Sequence, residues 1–417
     1  MIDWSSDTSF LMNKGQVALA REGSFIKVPT NYYNILQKII NNKICKECVG
    51  DCFVDREDKK TMIELVDSLI NIGVIIEKFD EIIDEEHQEI EQLTILLTNQ
   101  CNLACIHCSQ NADNDGCKRN EMSYADICKA IDELATVEIK EIVISGGEPL
   151  TRKDFFEIIE YLKSKFHGTL TLMTNSLLIS EDNIVQIIKN FDHLSISIDG
   201  VDEELTNQIR GSNVYQRVIH NIELLHQHNF YSIDLSAILP NSTEVRDKYI
   251  ELCKQLQVEA IPRVLSYIGR AEDNGNTIDK IFEEYISSHN YDTYDQIGVQ
   301  YVGSLSKCGA CNGNLTIDSY GNVFPCNLLQ YEKYRLGNVL TDENILSTYK
   351  RVKNFKVVKQ VKEMNVDLCL NCELKKLCWF CIADYEELIG NKEKFDERCR
   401  IRKNTIYKYY FGESYEY

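Results

Sequence analysis

No run of this chain approaches the roughly 18 consecutive apolar residues that a membrane-crossing helix needs, so no transmembrane segment is expected. The N-terminus, MIDWSSDTSF, lacks a basic stretch followed by an apolar one, so no secretory signal is read and the expected compartment is the cytoplasm. Excess positive charge is missing too: 45 Lys and Arg stand against 65 Asp and Glu, a net charge of −20. That balance argues against a nucleic-acid binder that works by neutralising phosphates, and no membrane partner is expected either. What is present is an ordinary globular mixture, 44% hydrophobic and 26% charged, in 417 residues. A chain of that length predicts two or three domains.

Cysteine is the abundant residue, with seventeen in all. In a secreted chain they would suggest disulfides; in a reducing compartment, thiolate ligation of metal is the better reading. Three fall at 101–108, eight at 308–399, and Cys45, Cys48, Cys52, Cys117, Cys128 and Cys253 are scattered. The local set Cys45, Cys48 and Cys52 has no fourth ligand close by and is read as incidental thiols.

Residues 1–78 predict a small β-plus-helix module. QVALAREGSFIKV has apolar runs on either side of a polar turn, as a hairpin does. Asn31 to Asn41 and Lys60 to Asn71 carry apolar residues at helical spacing, and Gly73 precedes the strand-like VIIE. Residues 79–92 are expected to form an acidic linker: from Glu77 to Glu91 there are eight carboxylates and one lysine.

From Leu93 to about 300, six short apolar runs (LTILLT, EIVISG, TLTLMTN, HLSISIDG, SIDLSAILP, AIPRVLSYIG) alternate with amphipathic stretches. This predicts parallel strands joined by right-handed crossovers in an α/β partial (β/α)6 TIM-type barrel, with its site at the C-terminal strand ends. In the last part, 301–417, the alternation gives way to eight thiols, and metal is expected to hold that region together.

The loop after the first run reads Cys101-Asn-Leu-Ala-Cys105-Ile-His-Cys108, a C-x3-C-x2-C spacing. Three thiolates on one loop can hold three irons of a 4Fe–4S cube, leaving the fourth open to a chelating ligand. A zinc knuckle favours paired C-x2-C and a fourth ligand nearby, which this loop does not supply. Gly146-Gly147-Glu148-Pro149 follows the second run. Glycines there let backbone approach a ligand closely, and a carboxylate can receive an ammonium.

Together these motifs resemble the radical S-adenosylmethionine superfamily. The resemblance implies that Cys101, Cys105 and Cys108 hold a cube and that S-adenosylmethionine chelates its open iron. Reductive cleavage would then give methionine and a 5′-deoxyadenosyl radical that abstracts a hydrogen atom. It further implies that Gly146, Gly147, Glu148 and Pro149 receive the methionine end, that His107 contacts adenine, and that Ser197 binds ribose hydroxyls. Arg210 would pair with the methionine carboxylate. Thr174 and Asn175 match more loosely as site-lining residues, and Asp199 is read as a cap on the following turn.

The eight C-terminal cysteines are similar to the SPASM domain, the twin-cluster extension of radical enzymes that mostly modify peptides. By that resemblance, Cys308, Cys311, Cys326 and Cys381 hold an inner auxiliary cluster, and Cys369, Cys372, Cys378 and Cys399 an outer one. The eleven motif cysteines match three 4Fe–4S cubes with one open iron. The pattern departs from the family where only Trp379 and Phe380 separate Cys378 from Cys381, which puts the ligand role of Cys381 in question. A pair of zinc ribbons is the alternative for these cysteines. The N-terminal module resembles the RiPP recognition element, a winged-helix-like domain that captures the leader of a ribosomal precursor peptide, where an extended leader can add a strand to an exposed edge.

The expected function is therefore radical maturation of a precursor peptide by a crosslink, most of all a cysteine thioether of the sactipeptide or ranthipeptide type. An electron donor such as flavodoxin or ferredoxin is implied. Carbon–carbon crosslinking or epimerisation is the rival chemistry, and a non-catalytic iron–sulfur or zinc scaffold that binds peptides is the rival class.

Overall fold

The structure is a computed structural model that describes residues 1–5, 8–21, 24–77, 90–114, 120–263, 265–292, 309–310, 313–362, 369–375, 377–378, 381–383, 391–413 and 415. Cys117, Cys308, Cys311, Trp379, Phe380 and most of the expected acidic linker lie outside the described residues.

The N-terminal part forms two small sheets and two helices. β1 (Ile2–Trp4) pairs antiparallel with β5 (Ile75–Glu77), while β2 (Ser9–Asn13), β3 (Gln16–Arg21) and β4 (Ser24–Pro29) make an antiparallel sheet in the order β2-β3-β4. The expected hairpin is β3–β4, and the two expected helices are α1 (Thr30–Asn41) and α2 (Arg56–Asn71). α2 starts before Lys60 because the Asp55 carboxylate accepts the Glu57 and Asp58 amides and caps its first turn. Alternation along β3 sends Val17 and Leu19 to the helices, where they pack with Leu36, Val66 and Leu69. Ala18 and Ala20 face the other way, onto the C-terminal part of the chain.

The central sheet carries the six expected strands: β6 (Ile90–Leu96), β7 (Ile139–Ser145), β8 (Thr169–Thr174), β9 (His193–Ser197), β10 (Ile233–Ile238) and β11 (Glu259–Arg263), all parallel. Helices α3 (Tyr124–Leu134), α4 (Phe155–Lys165), α5 (Ile184–Asn190), α6 (Glu203–Arg210), α7 (Val214–Gln227), α8 (Thr243–Gln255) and α9 (Arg270–Ser288) connect or follow them. β6 begins at Ile90, inside the stretch read as linker.

The sheet also continues into the C-terminal part. β12 (Asn314–Ile317) pairs parallel with β6, and β13 (Asn322–Phe324) and β14 (Gly337–Asn338) follow antiparallel, giving nine strands in the order β11-β10-β9-β8-β7-β6-β12-β13-β14. Short α10 (Ile345–Thr348), α11 (Lys353–Lys362) and the long α12 (Lys392–Phe411) complete the chain. Among the described residues no helix is long and apolar enough to cross a membrane.

The two faces of the six parallel strands differ. Leu93, Ile142, Leu170, Leu172, Leu194 and Leu235 are fully buried in one core with residues of the helices. The alternate positions include Thr94, Glu141, Thr171, His193, Ser195 and Asp234, and these line a cavity on the concave side. Parallel strands covered on both faces are normally apolar throughout. Here the inner face is kept polar, so the barrel encloses a binding space rather than a packed core.

Candidate functional site

The cavity, roughly 680 Å³, reaches from the strand interiors to the loop that follows β6. Cys101, Cys105 and Cys108 line it together. Their loop is tied down on several sides. The Glu121 carboxylate accepts from the Asn99 amide at 2.6 Å and the Thr98 hydroxyl at 2.7 Å. The Ile106 amide donates to the Ile209 carbonyl at the end of α6, and the Arg270 amide at the start of α9 donates to the Cys108 carbonyl.

Burial pushes the Cys101 thiol up to about 12, and burial raises Cys105 as well, although Arg210 works against it. Buried thiols of this kind are inert unless a cation takes the place of the proton. Iron would supply that cation, so the donor set fits a cluster. Among the described residues no three His, Cys, Asp or Glu side chains are arranged around a single ion. A cube, in which each thiolate takes its own iron, does not call for that arrangement.

Gly146 and Gly147 form the adjoining wall. The Gly147 amide donates to the Thr98 carbonyl at 2.6 Å, and a Cβ at Gly147 would fall on the Gln100 carbonyl. Gly146 adopts φ 136°, a conformation that favours glycine. Glu148, which the resemblance gives as a receptor for the ammonium, is held by the protein's own groups. It is fully buried, and its oxygens accept from the Asn175 amide at 2.8 Å, the Thr174 hydroxyl at 2.8 Å and the Leu150 amide at 3.2 Å. Desolvation outweighs those bonds and raises its pKa to about 7. Its main visible role is to bind the end of β8 to the glycine turn, with Pro149 opening the following turn. Asn175 in turn donates to the Asn102 side chain at 2.8 Å and lies 3.8 Å from the Cys101 sulfur.

Asp199, read from sequence as a turn cap, is instead the hub of the site. It sits at φ 55°, 3% exposed, and its Oδ2 takes the Arg210 Nε at 2.7 Å, the Arg210 Nη2 at 2.6 Å and the His107 Nε2 at 2.7 Å. Its Oδ1 accepts the Ile238 amide at 2.7 Å. Burial alone would raise this carboxyl, but Arg210 and His107 hold it well below the usual carboxylate range. No local pattern reveals this role, because Asp199 and Arg210 meet only through the β9–α6 turn.

Arg210, expected to be free for a ligand carboxylate, therefore spends two of its donor nitrogens on Asp199. His107 lines the cavity with Nε2 fixed and Nδ1 buried without a partner among the described residues. A buried nitrogen without a partner is a donor or acceptor left for a ligand. Ser197 lines the same wall at the end of β9.

Sequence reading missed the polar belt deeper in the barrel. Glu141 accepts from Gln92 at 2.8 Å and Thr171 at 2.7 Å; Asp234 bonds His193 Nε2 and Ser195 Oγ, both at 2.8 Å. The hydrogen bond to Asp234 raises the His193 pKa. The signal was available: every second residue in several of the strands is polar.

In the C-terminal part the cysteines fall into two groups. Cys369, Cys372, Cys378 and Cys399 share one apolar cluster with Leu374 and Leu377, and burial pushes Cys378 up to about 12 and Cys369 to about 11. Cys326 and Cys381 pack together elsewhere, with Leu329, Val358 and Ile382. The first group holds the four cysteines read as the outer set and the second holds Cys326 and Cys381 of the inner one, whose Cys308 and Cys311 lie outside the described residues. The outer group packs on the N-terminal sheet through Leu11, Ala18 and Ala20, and Phe25 meets the Tyr410 ring edge-on at 4.8 Å. Cys45 and Cys48, expected as incidental thiols, are joined in a disulfide, and Cys52 is exposed.

A partial barrel with three convergent cysteines on the loop after its first strand, beside a glycine turn, defines a cluster-bearing class of enzyme. Residues 95–253 match the Radical SAM superfamily, and residues 294–373 match an iron–sulfur cluster-binding domain, SPASM. The chain is a radical S-adenosylmethionine enzyme with a C-terminal SPASM domain. It is 24% identical to the mycofactocin maturase MftC of Mycolicibacterium smegmatis, over 67% of this chain and 74% of that protein. It is 25% identical to the AdoMet-dependent heme synthase of Methanosarcina barkeri, over 73% of this chain and 95% of that one. In fold it is similar to Streptococcus suis SuiB bound to S-adenosylmethionine, with TM-score 0.56, 16% identity, and 94% and 97% of the two chains covered. SuiB bound to its precursor peptide SuiA aligns over the same shares at TM-score 0.55.

Proposed function

We propose that this enzyme matures a ribosomal precursor peptide, captured through residues 1–78, by installing a cysteine thioether. The observation that carries the reading is the extent of the likeness to SuiB. It covers 94% of the chain, which is more than the barrel and the cysteine region span together, and this supports a role for the N-terminal part in the same kind of enzyme. SuiB has been seen with its precursor peptide bound.

In this reading Cys101, Cys105 and Cys108 hold the first cube, Cys308, Cys311, Cys326 and Cys381 the inner auxiliary one, and Cys369, Cys372, Cys378 and Cys399 the outer one. When bound, the first cluster and S-adenosylmethionine supply hydrogen-atom abstraction at an unactivated C–H bond. The chain's own residues bind and orient. The glycine wall admits the methionine end, Glu148 fixes that wall to β8, and Asp199 locks His107 and Arg210 against the cavity. The polar inner face of the barrel accommodates peptide groups that a packed core would exclude. Flavodoxin or ferredoxin is the class of electron donor.

The test is anaerobic incubation of the reconstituted enzyme with the short peptide encoded beside its gene. A thioether product loses the mass of two hydrogens and one titratable thiol; a carbon–carbon crosslink loses the mass but keeps the thiol, and epimerisation changes neither. Replacing Cys101, Cys105 and Cys108 together by Ala is expected to remove one third of the iron and all cleavage of S-adenosylmethionine. Unchanged cleavage in that variant would refute the radical assignment for this site.

A further inference from the structure

The charged groups that line the cavity are nearly all accounted for. Asp199 is held by Arg210 and His107, Asp234 by His193 and Ser195, and Glu141 by Gln92 and Thr171. Arg263 stands apart. It ends β11, the edge strand, at a position that faces the concave side, and its side chain crosses over β10 and β9 to bring Nη2 within 3.9 Å of the Met173 sulfur on β8. A thioether is a weak acceptor, and no carboxylate among the described residues lies within ion-pair distance of this guanidinium. A cation with a fork of donors therefore projects into a ligand cavity without a counter-charge. A carboxylate is the group that fork matches.

We infer that Arg263 is a subsite for an acidic side chain of the bound peptide, near the modified residue. This rests on the reading of the cavity as a peptide site. The other carboxylate at hand belongs to S-adenosylmethionine, and the placement of the cations argues against it. As a ligand of the open iron, that carboxylate would lie beside the thiols. Arg210 and Arg270 are the arginines placed there: the Arg210 carbonyl lies 4.0 Å from the Cys105 sulfur and the Arg270 amide donates to the Cys108 carbonyl, whereas the contact of Arg263 is with Met173 on β8. Arg263 also lines the cavity while staying exposed, so an incoming peptide can reach it.

The experiment uses the reconstituted holoenzyme with S-adenosylmethionine present and a pool of capped hexapeptides that come in twins, Asp in one and Asn in the other. Retention after equilibrium dialysis is read by mass spectrometry for wild type, Arg263→Gln and Arg263→Lys. Wild type is expected to favour the Asp twins by about ten- to a hundredfold, the range for a charge-assisted hydrogen bond. Arg263→Gln should lose that preference, Arg263→Lys should keep part of it, and the dissociation constant for S-adenosylmethionine should stay the same in all three. Equal retention of both twins by wild type, or a preference that survives in Arg263→Gln, overturns the inference while leaving the peptide reading standing. Weaker S-adenosylmethionine binding in Arg263→Gln assigns the carboxylate to the cofactor and also overturns it. Retention of neither twin overturns the subsite, while the peptide reading, which depends on capture through residues 1–78, is judged by the precursor assay.

Discussion

The Asp199–Arg210 pair allows a quantitative test of how the site is held. Arg210 is 10% exposed and Asp199 4%, and three charge-assisted hydrogen bonds converge on one carboxylate oxygen. Removing one member of a buried pair strands the other charge, at about 3–5 kcal/mol. Asp199→Asn leaves the guanidinium without a counter-ion beside Cys105. Arg210→Gln leaves a buried carboxylate with only His107 and the Ile238 amide. The double variant strands neither charge, so its cost should fall short of the sum of the singles by about 2–3 kcal/mol, the upper part of the range for directly coupled residues. Urea unfolding of all four proteins, followed by far-UV circular dichroism under anaerobic conditions at neutral pH, gives the cycle. Additivity within about 0.5 kcal/mol would mean that the two groups act independently. Single costs below about 1 kcal/mol would place the pair at the surface, where screening makes such contacts weak. Either outcome refutes the account of Asp199 as the hub.

Three further outcomes follow from particular contacts. Gly147→Ala puts a methyl group on the Gln100 carbonyl and should shift the cysteine loop, so S-adenosylmethionine binding falls at least tenfold while total iron drops by no more than one cluster; normal affinity by equilibrium dialysis would contradict this. Glu148 has a folded pKa of about 7, above its unfolded value, so its contribution is complete below about pH 4.5 and is lost as pH rises through 7. Relative to Glu148→Gln, the ligand-free protein should lose about 3 kcal/mol between pH 5 and 8, and parallel pH profiles of the two proteins would count against it. Leu11→Ala opens a cavity between the N-terminal sheet and the outer cysteine group and should cost about 2–5 kcal/mol there, with faster iron loss to a chelator from the outer cluster; an unchanged rate of iron release would separate the two regions.

Much of the barrel was legible because its signal is local. Six apolar runs separated by amphipathic stretches name six strands and their order, since parallel strands joined by helices follow chain order across the sheet. The first cluster loop was equally legible, because three thiols within eight residues share a loop in any fold. The division of the C-terminal cysteines could be matched to a pattern. Their physical grouping depends on α12 bringing Cys399 back to Cys369, Cys372 and Cys378.

Other features came only with the tertiary structure. The residues of β12 lie more than two hundred positions from β6, and no periodicity indicates that the C-terminal part extends the barrel sheet. The polar alternation within β6 to β10 is visible in the sequence, but the direction it faces is decided by which side the helices cover. Glu148 and Asp199 show the same limit at single residues. The family resemblance implied a ligand role for one and the other was read as a cap, whereas their partners, Asn175, His107 and Arg210, arrive from separate elements. Composition and spacing thus determined the chemistry this chain can carry, since ligand type and loop length are properties of short segments. Which carboxylate has its pKa raised, which cation is saturated and which faces the cavity unpaired were decided by burial and long-range contact, because desolvation and charge pairing exist only once distant segments have packed.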